Sequence, residues 1–91
     1  TIFGMFQGET QEVEFQADKC LLDVIFDVFG DNITLEPLND NTVTFKAEVQ
    51  VSPTFLGWCC LFGDKLKVIS PENVVDNIKT YLDKMKKIYE N

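Results

Sequence analysis

The chain of 91 residues has no arginine and no histidine; its eight basic residues are all lysine, set against 15 acids, for a net charge of −7. Each absence removes a class of function. Arginine is the side chain that reads phosphate and guanine edges bidentately. Histidine is the commonest metal ligand and the ordinary base at neutral pH. Nucleic-acid binding by this chain alone is therefore disfavoured, and so is His-dependent catalysis. There is no Cys-x-x-Cys pair to suggest zinc. No metal and no cofactor are expected. No apolar run approaches the ~20 residues needed to cross a bilayer, and no charged-then-apolar signal opens the chain, so no membrane partner is expected. The three cysteines (Cys20, Cys59, Cys60) are an odd number, and two are adjacent in a predicted helix, where neighbours point to different faces. Free, buried thiols acting as small hydrophobes fit best, which implies a reducing, cytoplasmic setting.

The apolar material present is enough for one small domain. Hydrophobic residues make up 45% of the chain, with eight Phe and one Trp. Charge is uneven: residues 1–63 hold ten acids and two lysines, residues 64–91 five acids and six lysines. The basic bias falls on the last predicted helix, either as an ordinary solvated face or as a weak electrostatic patch.

Residues 1–9 carry Phe3, Met5 and Phe6 between polar ends and read as a junction from a missing upstream domain, packing on that domain, on a second copy, or back on the core. Residues 10–91 form the domain. Gln11–Gln16 alternates as a half-buried strand with Val13 and Phe15 inward. Asp18 is placed to cap a helix over Lys19–Phe29, with Leu21, Leu22, Ile25, Val28 and Phe29 on its apolar side and Gly30 as a left-handed C-cap. Asn32–Leu38 is predicted to be a short strand, at a sheet edge because Pro37 has no N–H to donate. Asn39–Asn41 turns into the longest alternation, Thr42–Val51. Ser52 then caps a helix whose first residue is Pro53 and which Gly63 closes. A strand over Asp64–Ile69 comes next, and Ser70-Pro71-Glu72 repeats the cap-then-Pro device. The final helix, to about Tyr89, has a stripe of Val74, Val75, Ile78, Tyr81, Leu82, Met85 and Ile88. The order β-α-β-β-α-β-α predicts an α+β fold of the ferredoxin-like βαββαβ kind, an antiparallel sheet with two helices on one face, plus an additional C-terminal helix that covers the end of the sheet or reaches a partner.

No catalytic set emerges. Glu12, Glu14 and Glu48 fall on a solvent face, Ser52 and Ser70 are explained as caps, and no base is available to activate them. Phosphate binding of the acylphosphatase kind needs an Arg that is missing. RNA binding by a ferredoxin-like sheet needs outward aromatics, whereas the outward positions here are Glu12, Glu14, Thr44, Lys46, Glu48 and Gln50. Trp58, beside Gly57 where a neighbour can approach closely, reads either as a half-core residue or as an anchor at a contact between domains or copies.

The stretch Ser52-Pro53…Leu56-Gly57-Trp58…Leu61-Phe62-Gly63-Asp64…Lys67-Val68-Ile69-Ser70-Pro71-Glu72 resembles the C-terminal extension domain, called WCX, of bacterial WYL-domain transcriptional regulators. Upstream, Val13-Glu14-Phe15, Val28-Phe29-Gly30 and Phe3-Gly4-Met5-Phe6 resemble that family's first strand, its first helix end and its junction with the WYL domain. The resemblance implies a non-catalytic regulatory and oligomerisation domain, with upstream WYL and helix-turn-helix domains as partners in the same chain. Promoter DNA would be bound only through the absent N-terminal domain. A homo-oligomer is expected, and the candidate contact residues are Phe3, Met5, Phe6, Trp58, Tyr81 and Tyr89. The family's occasional role in holding a nucleic-acid effector does not carry over to an acidic chain without Arg. The alternative is a small-molecule-sensing domain like ACT domains.

Overall fold

The computed structural model describes residues 10–90, without the side chain of Asn32. Thr10–Asp18 forms strand β1, whose Val13, Phe15 and Ala17 are buried while the intervening residues face outward. Asp18 both ends the strand and opens the next turn: its Oδ1 accepts a hydrogen bond from the Cys20 N–H at 2.8 Å. One 3-10 turn, Lys19–Leu21, leads into helix α1, Leu22–Phe29. Ile25 and Phe29 are buried on its inner side, with Leu22 and Val28 packed against the core.

Gly30 stops the helix at φ 74°, ψ −166°. The positive φ is as expected, but ψ lies outside the left-handed helical well, in a region essentially open only to glycine. A second 3-10 turn, Gly30–Asn32, then occupies residues expected to begin a strand. Strand β2 is only Glu36–Pro37: the preceding residues of the expected strand are left unpaired, and the ladder ends at Pro37, which has no N–H to donate. The expected inward side chains are nonetheless turned in, since Ile33 and Leu35 pack against the core.

The turn after β2 is closed by the Leu38 N–H donating to the Thr42 carbonyl and the Asn41 N–H donating to Asn39 Oδ1, both at 2.9 Å. Strand β3, Thr42–Gln50, buries Val43, Phe45, Ala47 and Val49. Helix α2 spans Pro53–Cys60 and is capped by Ser52, whose Oγ accepts from the Phe55 N–H at 3.2 Å. Gly63, at φ 61°, turns the chain into a 3-10 turn, Gly63–Lys65, so strand β4 starts at Leu66 and runs to Ser70.

Helix α3 spans Glu72–Lys87. Here the repeated cap device gives a different outcome. Ser70 is held in the sheet opposite Glu14, so the N-cap is Pro71 and no side chain caps the helix. The Pro71 carbonyl instead accepts from Val74 N–H and Val75 N–H, both at 3.1 Å.

The described residues form an α+β fold with a four-stranded open antiparallel sheet ordered β2-β3-β1-β4 and three α-helices. Inward side chains of the sheet and the buried residues of all three helices form one core. At its centre Phe15 stacks on Phe45 at 4.9 Å and meets Phe55 edge-on at 6.1 Å, with Phe29 at 5.6 Å. Full burial of an aromatic or branched side chain of this kind contributes about 2–3 kcal/mol, so Phe15 and Phe55, both wholly buried, dominate a core this small.

Candidate interaction site

The helices divide the sheet into two unlike faces. The outer face pairs Glu12 with Glu48 and Glu14 with Lys46 across β1 and β3, and among the described residues no helix covers it. Glu12 and Glu48, directly opposed like charges, weaken rather than build a site there. Among the described residues no group of three or more potential ligands is placed to hold a metal ion. Ser52 spends its Oγ lone pair on the α2 cap.

The inner side holds the features of interest. Helix α3 starts in the core, where Val74 is fully buried and Val75 and Ile78 pack against it. Tyr81 is half-buried at the crossing with α2: a Cβ placed on Gly57 would lie 3.2 Å from Tyr81 Oη. Gly57 therefore does permit a close approach, and the neighbour that makes it is Tyr81 of the same chain. Beyond Tyr81 the helix leaves the core. Leu82, Met85, Ile88 and Tyr89 are exposed. Lys84, Lys86 and Lys87 crowd the same end, in the last turn of the helix. Two exposed ion pairs, Lys87 with Asp83 at 3.0 Å and Lys86 with Glu90 at 3.8 Å, brace its solvent side; pairs so exposed contribute little to stability.

Between α3, β4 and the end of α2 lies an apolar groove of about 560 Å³. Leu66 and Val68 supply its β4 wall, Val75, Ile78 and Leu82 its α3 wall, and Cys59 and Cys60 its end at α2. Lys67, Lys79 and Asp64 are the charged residues of its lining. The two adjacent thiols sit differently, as neighbours on a helix must. Cys59 is buried, and burial, with the neighbouring Cys60 adding, pushes its pKa up to about 12. Cys60 is half-buried and its pKa is raised by burial alone. Cys20, expected to be buried, is exposed: it lies in the 3-10 turn before α1, on the side away from the core. Its pKa is raised mainly by its hydrogen bond to the Asp18 carboxylate, and the Cys20 backbone N–H lowers that of Asp18 in return.

Three of the six expected contact residues are described, and each has a different setting. Phe3, Met5 and Phe6 lie outside the described residues. Trp58 is half-buried, with its ring edge-to-face on Phe29 at 5.5 Å and on Phe62 at 5.3 Å, so it bridges α1 and the end of α2. Tyr81 serves the α2–α3 crossing. Tyr89, just past the end of α3, is 85% exposed. The groove itself has no marker in the sequence. Lys67 reads as an ordinary outward charge, and Leu82 belongs to the stripe of a helix expected to cover the sheet end or to reach a partner. Leu61, 71% exposed at the end of α2, carries no signal either.

These features define a class, a small α+β domain with one acidic sheet face and one partly unfilled apolar side. No protein-family model matches the chain, and no curated protein matches it. No helix among the described residues is long and apolar enough to cross a membrane.

Proposed function

We propose that this chain is a non-catalytic regulatory and oligomerisation domain of the WCX kind, from a WYL-type transcriptional regulator. The observation that carries the assembly role is the end of α3, where Leu82, Met85 and Ile88 stand exposed on one stripe beside three lysines. The chain otherwise offers a strongly acidic body, with ten acids and two lysines over residues 1–63. An apolar helix end whose Lys84, Lys86 and Lys87 outnumber Asp83 and Glu90 is complementary to the acidic body of a second copy. Two copies related by a two-fold axis satisfy both at once, each placing its helix end on the other.

The strand order β2-β3-β1-β4, with every neighbour antiparallel, supports the ferredoxin-like reading, since two βαβ units split by a hairpin produce that arrangement. The absence of Arg and His, and the use of the Ser52 hydroxyl as a helix cap, support a role without catalysis. In the full-length regulator, DNA binding and effector sensing belong to upstream domains, and this domain stabilises the assembled form in a reducing cytoplasm.

The upstream reading frame tests the family assignment. A helix-turn-helix pattern succeeded by a WYL domain is expected, and an upstream region with neither overturns it. Sedimentation of the chain tests assembly: self-association that rises with concentration is expected, and a monomer at every concentration overturns it.

A further inference from the structure

We infer that the groove between α2, β4 and α3 is a binding site for a small amphipathic carboxylate, a molecule with one alkyl body and one anionic head. This goes beyond the assembly role, and its failure would leave the sedimentation prediction standing.

Three observations carry it. The groove measures about 560 Å³, within the range of small-molecule sites, and its walls are aliphatic side chains of β4 and α3 closed at one end by the two thiols of α2. Among the described residues no buried side-chain nitrogen or oxygen lacks a hydrogen-bond partner, so these walls ask nothing polar of an occupant's body. The charge of the lining then selects the head. Lys67 and Lys79 stand against the single carboxylate of Asp64, a net positive rim on a chain of net charge −7. An anion is repelled by the rest of the molecule and attracted here. A neutral alkane forgoes the lysines, a cation meets two like charges, and a polar metabolite wastes the aliphatic walls. An alkyl carboxylate matches both parts of the site.

Cys60 lies in the groove, half-buried, and reports occupancy directly. Cys20 is exposed elsewhere and serves as an internal control, while buried Cys59 reports loss of the fold. Alkylation by iodoacetamide is monitored at each cysteine by mass spectrometry, with decanoate below its micellar range and with decan-1-ol. Decanoate is expected to slow Cys60 at least about tenfold while leaving Cys20 unchanged and Cys59 unreactive, and decanol to protect about tenfold less well at equal concentration. Lys67→Glu together with Lys79→Glu, both exposed positions, should abolish the preference for decanoate over decanol.

A Cys60 rate unaffected by decanoate overturns the proposal, and so does equal protection by decanol. Cys59 becoming reactive in decanoate also overturns it, because the effect would then be unfolding. Cys60 protection that grows with protein concentration and ignores decanoate assigns the groove to a second copy instead.

Discussion

Helix α3 is two structures on one stripe. From Glu72 to Ile78 its apolar residues complete the core, with Val74 wholly buried, whereas at Ile88 the same stripe is 67% exposed. Spacing is identical in both halves, so the difference lies in what the rest of the chain supplies. Sheet and α2 reach Ile78 and Tyr81, whereas exposure is 49% at Leu82, 38% at Met85 and 67% at Ile88. A helical stripe states which side of a helix is apolar; how far that side is covered depends on its neighbours. The proposed assembly rests on this leftover apolar surface.

Substitutions separate the two halves. The largest effect is expected in the packed half, where Val74→Ala should cost about 2 kcal/mol in chemical denaturation, through lost burial and the cavity left behind. A loss no larger than that of a surface substitution would mean α3 is not part of the core.

Alkaline pH probes the packed side through Cys59. Its folded pKa of about 12 lies above the ordinary value of 9.0, so the neutral thiol is favoured by the fold. The stability linked to it is fully present below pH 9.0 and is lost as pH rises toward about 12. Wild type should therefore lose more stability over that interval than Cys59→Ala, measured as the difference in denaturation midpoints. Parallel pH profiles would contradict the buried placement of this thiol.

The two Ser-Pro pairs show the same contrast at smaller magnitude. Ser52→Ala removes a hydroxyl that caps α2 and should cost about 1 kcal/mol. Ser70→Ala, at a residue with no capping role, should stay within about 0.5 kcal/mol. Equal costs would mean that both serines cap. In the outer half of α3, Ile88→Ser should likewise change the stability of the monomer by no more than about 0.5 kcal/mol.

Those pairs also show where sequence reading succeeds. Alternation places Val13, Phe15, Val43, Phe45 and Val49 inward, and the structure buries all five. Asp18 and Ser52 are legible as caps because capping is decided within three residues. Ser70 has the same local signal without the cap, because a partner more than fifty residues away, Glu14, holds it in the sheet. Strand β2 is shorter than its alternation implies because backbone pairing, and not side-chain alternation, defines a strand, and only Glu36 and Pro37 pair with β3. The groove is illegible for the same reason as the exposed end of α3: both are made by the relative reach of elements, which no local spacing encodes. Trp58 stands out by residue type, yet its ring is engaged with Phe29 and Phe62, while the less conspicuous Leu82 and Ile88 are the exposed ones.

The assembly role is tested most directly by sedimentation equilibrium of residues 1–91 over a wide concentration range, beside Met85→Glu/Ile88→Glu. Both positions are exposed, so the variant should keep the wild-type circular dichroism spectrum. The expected result is a concentration-dependent monomer–dimer equilibrium for the wild type, weakened by added salt, and a monomer throughout for the variant. A wild type that stays monomeric at every concentration, or a dimer that the two glutamates leave intact, would contradict the assignment of the α3 end as the assembly surface.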